Sequence, residues 1–351
     1  MVSNDGIRGS SLGGDKFWVG KRVVVTGGAG FIGSHLVEEL IRVGAQARVA
    51  DSFTTGSLDN LQGVANQIEI SRVDLSDFDD CIKACSNADI IMNLAAKVAG
   101  VAYNSLHSSE MFSMNVRIGM NMLEAARASN VDRFLCVSSA CVYSREAKVP
   151  TPEEQGFFKE PEPSNLGYGW AKRVLEVQAR LYAEQYGMKI AIVRPFNTYG
   201  PRDHFASNNN HVIPSLLTRV LAEEDPLTVW GNGKQTRSFV YVADMVRGLM
   251  LATEKYAEAD PLNLGSSEEI SIEGLSRMIV DLARPGTRIK FDESKPQGQP
   301  RRCPDVSKAK AKLGFESSAG IKTGLRQTLE WLREHERIHG VMPLETNAFE
   351  T

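Results

Sequence analysis

Tyr168 and Lys172 lie four residues apart in the run Tyr168-Gly169-Trp170-Ala171-Lys172, so on a helix they share one face, one turn from each other. A phenol with a pKa of about 10 is a poor base at neutral pH, but an adjacent ammonium favours its ionised form. The pair can then exchange a proton with a sugar or alcohol hydroxyl. An exposed i,i+4 pair is the plainer alternative, because these residue types fall at this spacing in many helices. Two more groups suit proton transfer. Cys141, in Ser138-Ser139-Ala140-Cys141-Val142-Tyr143, and His211, ahead of Val212-Ile213-Pro214, carry a thiol and an imidazole able to take a proton from a carbon beside a carbonyl. For Cys141 the alternative is a small residue packed at a strand end; for His211 it is a polar residue opening a helix.

The surrounding segments must position these groups, and they read as alternating strands and helices. Arg22-Val23-Val24-Val25-Thr26 is a β-branched run ending at Gly27-Gly28-Ala29-Gly30-Phe31-Ile32-Gly33, after which Leu36, Val37, Leu40 and Ile41 follow a helical period. Strand, glycine turn, helix is the setting a dinucleotide fingerprint requires. Gly27 permits the tight turn, Gly30 lets backbone approach a pyrophosphate, and Gly33 allows close helix-to-strand contact, with Phe31 and Ile32 at the helix N-terminus that favours the anion. The next strand, Ala47 to Ala50, ends at Asp51, eighteen residues past Gly33. A carboxylate there accepts hydrogen bonds from the adenosine ribose hydroxyls and repels a 2′-phosphate. The loop Ser52-Phe53-Thr54-Thr55-Gly56-Ser57 has no Arg or Lys to hold that phosphate, so NAD is favoured over NADP, a capping Asp51 being the alternative. An oxidised nicotinamide would add positive charge beside the Tyr168 phenol.

A third strand, Ile68 to Val73, would bring Asp74 and Leu75 near an adenine. A fourth, from Ala88, ends in Asn93-Leu94-Ala95-Ala96, small enough for the cofactor to lie against backbone. Asn115 is expected to open a helix through Met120, Leu123 and Ala126. A fifth strand, Arg133 to Ser138, delivers Ser139 and Cys141 at its carboxyl end, where ligands bind in an open α/β sheet; Lys189 to Val193 is a sixth. The pattern predicts an α/β fold: a Rossmann doubly wound parallel sheet over residues 21–195, joined by about 235–260, with residues 196–340 forming most of a smaller α/β C-terminal lobe that binds substrate. Residues 1–20, rich in Gly, Ser and Asp, read as a flexible leader, and 341–351 as an irregular tail.

A chain of 351 residues suits two lobes better than one. A formal net charge of -3 argues against nucleic acid or an anionic membrane as partner. No run of about 18 apolar residues occurs and Met1 to Gly20 lacks an apolar centre, so a cytoplasmic enzyme is expected. The five cysteines, Cys81, Cys85, Cys136, Cys141 and Cys303, lack the paired spacing of a zinc ribbon; no metal site is expected, and reduced thiols fit that compartment.

Thr26 to Gly33, Asn93 to Ala96, Ser138-Ser139, Tyr168 to Lys172 and Arg194-Pro195-Phe196-Asn197-Thr198-Tyr199-Gly200-Pro201 together resemble the extended short-chain dehydrogenase/reductase family of nucleotide-sugar epimerases, dehydratases and reductases, over about residues 21–335. The resemblance implies a Rossmann lobe holding NAD, a second lobe holding a nucleoside diphosphate sugar, a Ser139, Tyr168, Lys172 triad between them, and a homodimer through helices at about 115–129 and 168–187. By the same resemblance Tyr168 is the acid/base at the C4 oxygen, Lys172 lowers its pKa and holds the nicotinamide ribose, Ser139 shares the hydroxyl hydrogen bond, and Asn197 contacts the substrate. Arg219, Arg237 and Arg301 are candidates for its diphosphate, because guanidinium forks suit phosphate oxygens. A solvent-facing salt bridge is the alternative for any of them.

Dehydratases of this family carry Thr-Asp-Glu where this chain has Ser139-Ala140-Cys141, so dehydration is disfavoured. Cys141, Asn210-His211-Val212-Ile213-Pro214 and the run Asp292 to Arg301 are similar to GDP-L-fucose synthases, whose matching cysteine and histidine invert C3 and C5. GDP-mannose 3,5-epimerases share the cysteine but have lysine where His211 stands here. Fucose synthases reduce with NADPH, whereas Asp51 points to NAD. The expectation is therefore a redox-neutral epimerase of a nucleotide sugar, a GDP-hexose by preference, oxidised transiently at C4 while Cys141 and His211 exchange the C3 and C5 protons. The alternatives are an NADPH-dependent epimerase-reductase, a simple 4-epimerase, and a non-catalytic NAD-binding protein.

Overall fold

Short β-branched runs that lack polar alternation must be covered on both faces, and the sheet they build here is. The computed structural model describes residues 15–98, 100–205, 211–295 and 298–340. β1 (Arg22–Thr26), β2 (Gln46–Asp51), β3 (Glu69–Arg72), β4 (Ile90–Asn93), β5 (Arg133–Val137), β6 (Lys189–Pro195) and a last strand, Glu258–Leu264, form one parallel sheet in the order β3-β2-β1-β4-β5-β6 followed by that last strand. Val23 to Thr26 of β1 pair with Ala47 to Ala50 on one side and Ile90 to Asn93 on the other. Strand order therefore reverses beside β1, which opens a crevice at the carboxyl ends of β1 and β4. The fold is the doubly wound α/β sheet that the pattern predicts.

The edge strand Glu258–Leu264 is absent from the sequence-based expectation because Pro261 interrupts it. Its register slips between Glu258 and Pro261, and a bulge at a sheet edge is where a residue without an N–H is tolerated. The preceding helix, Val242–Lys255, buries Met245, Leu249 and Ala252 in the same core as Val25, Leu36 and Leu40. A separate core, containing Leu216, Leu227, Leu275 and Leu325, is built by the helices Val212–Leu221, Ile272–Ala283 and Ile321–His339. Three small sheets accompany it among the described residues: Leu227–Trp230 with Ile289–Asp292, Thr198–Tyr199 with Val240–Tyr241, and Thr236–Ser238 between Glu269–Ser271 and Arg301–Arg302. Among the described residues no helix is long and apolar enough to cross a membrane.

Two expectations need correction. The leader does not extend to Gly20: Asp15–Trp18 is a helical turn whose Trp18 is fully buried, because an indole gains more from the core than polar neighbours lose. Residues 1–14 and 341–351 lie outside the described residues, as does Asn210. Asn115 opens no helix. It is buried in the middle of Ser108–Ala128, where its amide accepts from the Lys97 N–H at 3.0 Å and donates to the Lys97 and Met111 carbonyls at 3.0 and 2.7 Å. The polar amide that favours a cap finds its partners in the segment following β4 instead.

The two cores meet at the glycine turn. Phe31 and Ile32 pack on the second core, Ile32 on the first as well, and one turn later His35 Nε2 donates to the Pro201 carbonyl at 2.9 Å. Arg202 reaches Glu38 at 2.5 Å from the same loop. Burial and then the Arg202 charge push the His35 pKa down to about 3, against the Pro201 hydrogen bond. The folded chain thus holds His35 neutral where the unfolded chain binds a proton, so stability is full above about pH 6.5 and falls as pH drops toward about 3. Replacing His35 by Gln, whose amide can donate to the same carbonyl, should flatten the fall of the thermal midpoint between pH 6.5 and 4; parallel curves for the two proteins would show that His35 does not set the acid limit.

Candidate active site

Gly27 has φ +67, which lets the chain leave β1 in a tight turn. A Cβ on Gly33 would stand 2.2 Å from the Gly27 carbonyl oxygen, so only glycine lets the Phe31–Arg42 helix sit this close. No acidic residue occupies that helix's first turn and its N-cap, Gly30, makes no side-chain cap, so the positive helix end is free for an anion. Thr26 Oγ1 donates to Asn93 Oδ1 at 2.7 Å and accepts from the Ala95 N–H at 3.1 Å, which fixes half-buried Leu94, Ala95 and Ala96 beside the turn. The arrangement fits a dinucleotide.

At the adenosine end, Asp51 is buried and accepts from the Ala29 and Phe53 N–H groups at 2.9 and 2.8 Å. Asp74 is exposed and caps Ser76 N–H at 2.9 Å, while Leu75 is buried. One cation escaped the inspection of the loop after Asp51. Arg72 pairs with Asp51 across β2 and β3, and its guanidinium lies 5.9 Å from the Phe53 ring centroid in a groove shared with Gly56, Ser57 and Ile70. Strand pairing brings it there from 21 positions away, so the loop itself gives no sign of it.

The helix Leu166–Tyr186 presents Tyr168, Lys172 and Glu176 on one face at successive turns. Lys172 Nζ donates to the Val137 carbonyl at 2.8 Å and lies 5.5 Å from the Tyr168 ring centroid. Ser139 Oγ accepts from the Cys141 N–H at 3.1 Å and lies near the Tyr168 phenol, whose pKa it lowers. A Cβ on Gly169 would fall 2.4 Å from the Cys141 carbonyl oxygen; the glycine lets this helix touch the turn that carries the thiol. Burial, then Cys141, raises the phenol's pKa above its ordinary value, and Ser139 offsets only part of this. Burial lowers the Lys172 pKa against Cys136, Cys141 and Glu176. The spacing suggests that Lys172 acidifies the phenol; among protein groups burial prevails, and Tyr168 keeps its proton.

A buried polar network lies beneath. Arg194 donates to both Glu176 oxygens at 2.8 and 2.7 Å, to Tyr143 Oη at 2.9 Å and to the Glu153 carbonyl at 2.6 Å. Ser138 Oγ donates to Glu176 at 2.5 Å. Arg173, also buried, donates twice to the Val142 carbonyl, at 3.0 and 2.7 Å, and so holds the turn Ala140–Val142. These positioning residues were missed by the sequence reading, though Glu176 and Arg173 share a helix with Tyr168.

Cys141 lines a cleft with Glu162, Asn165, Arg145, Arg301 and Arg302. Arg301 and Arg302 are successive in a strand and point to opposite faces. Arg301 pairs with Glu269 at 2.5 Å. Arg302 is instead in register with Arg237 on the neighbouring parallel strand. Burial, then Arg302, lowers the Arg237 pKa to about 10, with Glu162 opposing. Among the described residues neither Arg237 nor Arg302 forms an ion pair, so two guanidiniums lie on adjacent strands without a carboxylate partner. Arg301, the diphosphate candidate read from the sequence, lines the cleft but is engaged by Glu269. Arg219 is engaged elsewhere, its fork on Glu224 at 2.6 and 2.5 Å and on the Thr228 carbonyl, as in the salt-bridge alternative. Asn197 donates to the Ser238 carbonyl at 3.0 Å.

His211 is the N-cap residue of Val212–Leu221 and is not among the residues lining the Cys141 cleft. Its Nδ1 lies 3.1 Å from Asp203 Oδ1. The Asp203 charge raises its pKa, with help from the hydrogen bond.

The sequence profile described as the NAD dependent epimerase/dehydratase family matches residues 23–265. The chain belongs to this family. Among its relatives, a dTDP-4-dehydro-6-deoxy-D-allose reductase of Streptomyces sp is 34% identical over 326 residues, 91% of this chain and 98% of the relative. UDP-glucuronic acid decarboxylase 1 of Xenopus tropicalis is 33% identical, over 92% of this chain and 75% of that protein. Among solved structures, the dTDP-glucose 4,6-dehydratase DesIV of Streptomyces venezuelae, with NAD bound, superposes with a TM-score of 0.79 and 28% identity, covering 90% and 98% of the two chains. The protein is thus an enzyme of an NAD-dependent family whose members act on nucleotide sugars. These relatives carry dTDP or UDP in their names, not the GDP of the fucose synthases and mannose epimerases that the motifs resemble.

For this family member the network under the site yields a stability prediction. Arg194→Met leaves Glu176 buried without its partner and should cost about 3–5 kcal/mol in urea unfolding; a loss below about 1 kcal/mol would mean that water replaces the guanidinium.

Proposed function

We propose that the protein is an NAD-dependent epimerase of a nucleoside diphosphate hexose that oxidises C4 transiently and exchanges protons at C3 and C5. The observation that carries this reading is the convergence of Ser139, Cys141, Tyr168 and Lys172 at the carboxyl end of β5, with Cys141 in a cleft that Arg301 and Arg302 also line. Gly27, Gly30, Gly33, Asp51 and the Leu94 to Ala96 segment would hold NAD, which when bound supplies a hydride acceptor and a positive charge beside the phenol. Tyr168 then removes the proton of the C4 hydroxyl and later returns it, Ser139 shares that hydrogen bond, and Lys172 stabilises the ionised phenol. The resulting carbonyl acidifies the neighbouring C–H bonds, which a thiol and an imidazole can deprotonate from either face. Arg237 and Arg302 would clamp the diphosphate, and Asn197 would border the sugar.

The base we favour is guanine, on the resemblance of the runs around His211 and from Asp292 to Arg301; uridine and thymidine nucleotides are the competitors that the relatives suggest. A second reading, reduction of a 4-keto sugar, is supported by the 34% identical Streptomyces reductase and by the neutral Tyr168, the form that donates a proton to an oxygen gaining hydride. In deuterated water with GDP-mannose, UDP-glucose or dTDP-glucose, the epimerase should place deuterium at C3 or C5 without consuming added NADH or NADPH. Cys141→Ser should slow exchange at one carbon about 100-fold or more, and Tyr168→Phe should abolish it at both. Exchange untouched by Cys141→Ser and His211→Asn removes those roles, and stoichiometric NADPH consumption with a 4-keto-6-deoxy sugar selects the reductase.

A homodimer is part of the proposal. Phe112 and Met120 on Ser108–Ala128, with Val177 and Leu181 on Leu166–Tyr186, are exposed, and the two helices pack side by side, so a second copy would cover one apolar surface. Sedimentation should show a dimer that Leu181→Glu converts to monomer. A dimer indifferent to that change must use another face.

A further inference from the structure

The pairing of His211 with Asp203 has the geometry of an oriented acid/base. The Asp203 side chain is fully buried while the imidazole remains largely exposed. Its two oxygens lie 3.1 and 3.4 Å from His211 Nδ1, and Oδ1 also accepts the His204 N–H at 2.8 Å. The carboxylate is therefore fixed from behind as well as in front. Each partner is anchored independently: Asp203 follows Pro201 and Arg202, which are bonded to His35 and Glu38, and His211 heads a helix whose Ile213, Leu216 and Leu217 are buried in the second core.

We infer that Asp203 is a positioning residue for His211, holding the imidazole as its Nδ1–H tautomer so that Nε2 is the nitrogen that exchanges a substrate proton. This rests on the epimerase reading for the role of His211, though not for the pairing itself. An ionised carboxylate only accepts hydrogen bonds, so the ring nitrogen facing it carries hydrogen whether the ring is charged or neutral. In the neutral ring the lone pair is then on Nε2, the nitrogen that does not face Asp203. Among the described residues the titratable groups facing the ring are Asp203, which favours its cation, and His204, whose own pKa is lowered by burial and by His211 while Asp203 opposes. The helix that His211 heads offers no competing charge nearby: its basic residue, Arg219, lies in the last turn, bound to Glu224.

Nitrogen NMR of the wild-type protein with labelled histidine should show His211, once neutral, protonated at Nδ1. A neutral ring protonated at Nε2 overturns the inference. In Asp203→Asn the His211 titration should move to lower pH, the deuterium exchange assigned to His211 should fall about 10- to 100-fold, and the pH limb of the remaining exchange should move the same way; Asp203→Glu, which keeps the charge, should restore much of the limb. An unmoved titration, or a moved titration with undiminished exchange, likewise overturns it. Should Asp203→Asn not fold, the wild-type tautomer still decides the pairing. Wild-type protein that exchanges no ring proton at any pH sinks the epimerase reading alone, and the NMR result then stands on its own.

Discussion

The buried ion pair between Arg194 and Glu176 is the constraint on which the site depends. Both side chains are removed from water, an arrangement that is costly unless every charge and lone pair finds a partner. Here they do, and the partners are the elements that carry the chemistry. Glu176 takes the Ser138 hydroxyl as well as the guanidinium; Arg194 takes Tyr143 and the Glu153 carbonyl as well as Glu176. Tyr143 in turn donates to Asn263 at 2.5 Å, which brings the edge strand into the same network. Ser139 directly follows Ser138, and Tyr168 and Lys172 lie on the helix face that also carries Glu176. Satisfying one buried pair therefore sets the positions of the phenol, the ammonium and the hydroxyl relative to β5.

The cleft above that network is lined by the Cys141 thiol and by the guanidiniums of Arg145, Arg301 and Arg302. Arg302 stands in register with Arg237, and neither has a carboxylate partner among the described residues. Two like charges forced side by side repel one another, and burial makes the repulsion worse. An anion with two negative groups would relieve that repulsion, as the proposed diphosphate clamp requires. The second lobe meets the glycine turn through Phe31, Ile32 and His35, which touch both cores or the loop between them.

Local chemistry accounts for what was legible beforehand. The turn from Gly27 to Gly33 is written in adjacent residues, because its tight geometry and its close approaches are set within one strand, one loop and one helix turn. The parallel sheet follows from β-branched runs alternating with helical periods. Asp51 and the pairing of Tyr168 with Lys172 depend on spacing along single elements. Even Arg219 could have been judged locally, for Glu224 stands five residues later.

Other assignments turned on where distant segments meet. Whether Arg301 or Arg302 stands beside Arg237 is a matter of strand register, which sets Arg301 against Thr236 and Arg302 against Arg237. Arg72 reaches the adenosine end because β3 pairs with β2, and Asp203 meets His211 because a loop folds back on a helix start. The ionisation of Tyr168 is the clearest case. Four-residue spacing determines that an ammonium is near the phenol; burial, which belongs to the folded chain alone, decides that the phenol keeps its proton. Sequence by itself determined the family, the sheet apart from its last edge strand, and the reactive residue types, since these rest on interactions between near neighbours. Tertiary structure decided which guanidiniums are free and which protonation states prevail, because desolvation and charge pairing act through space.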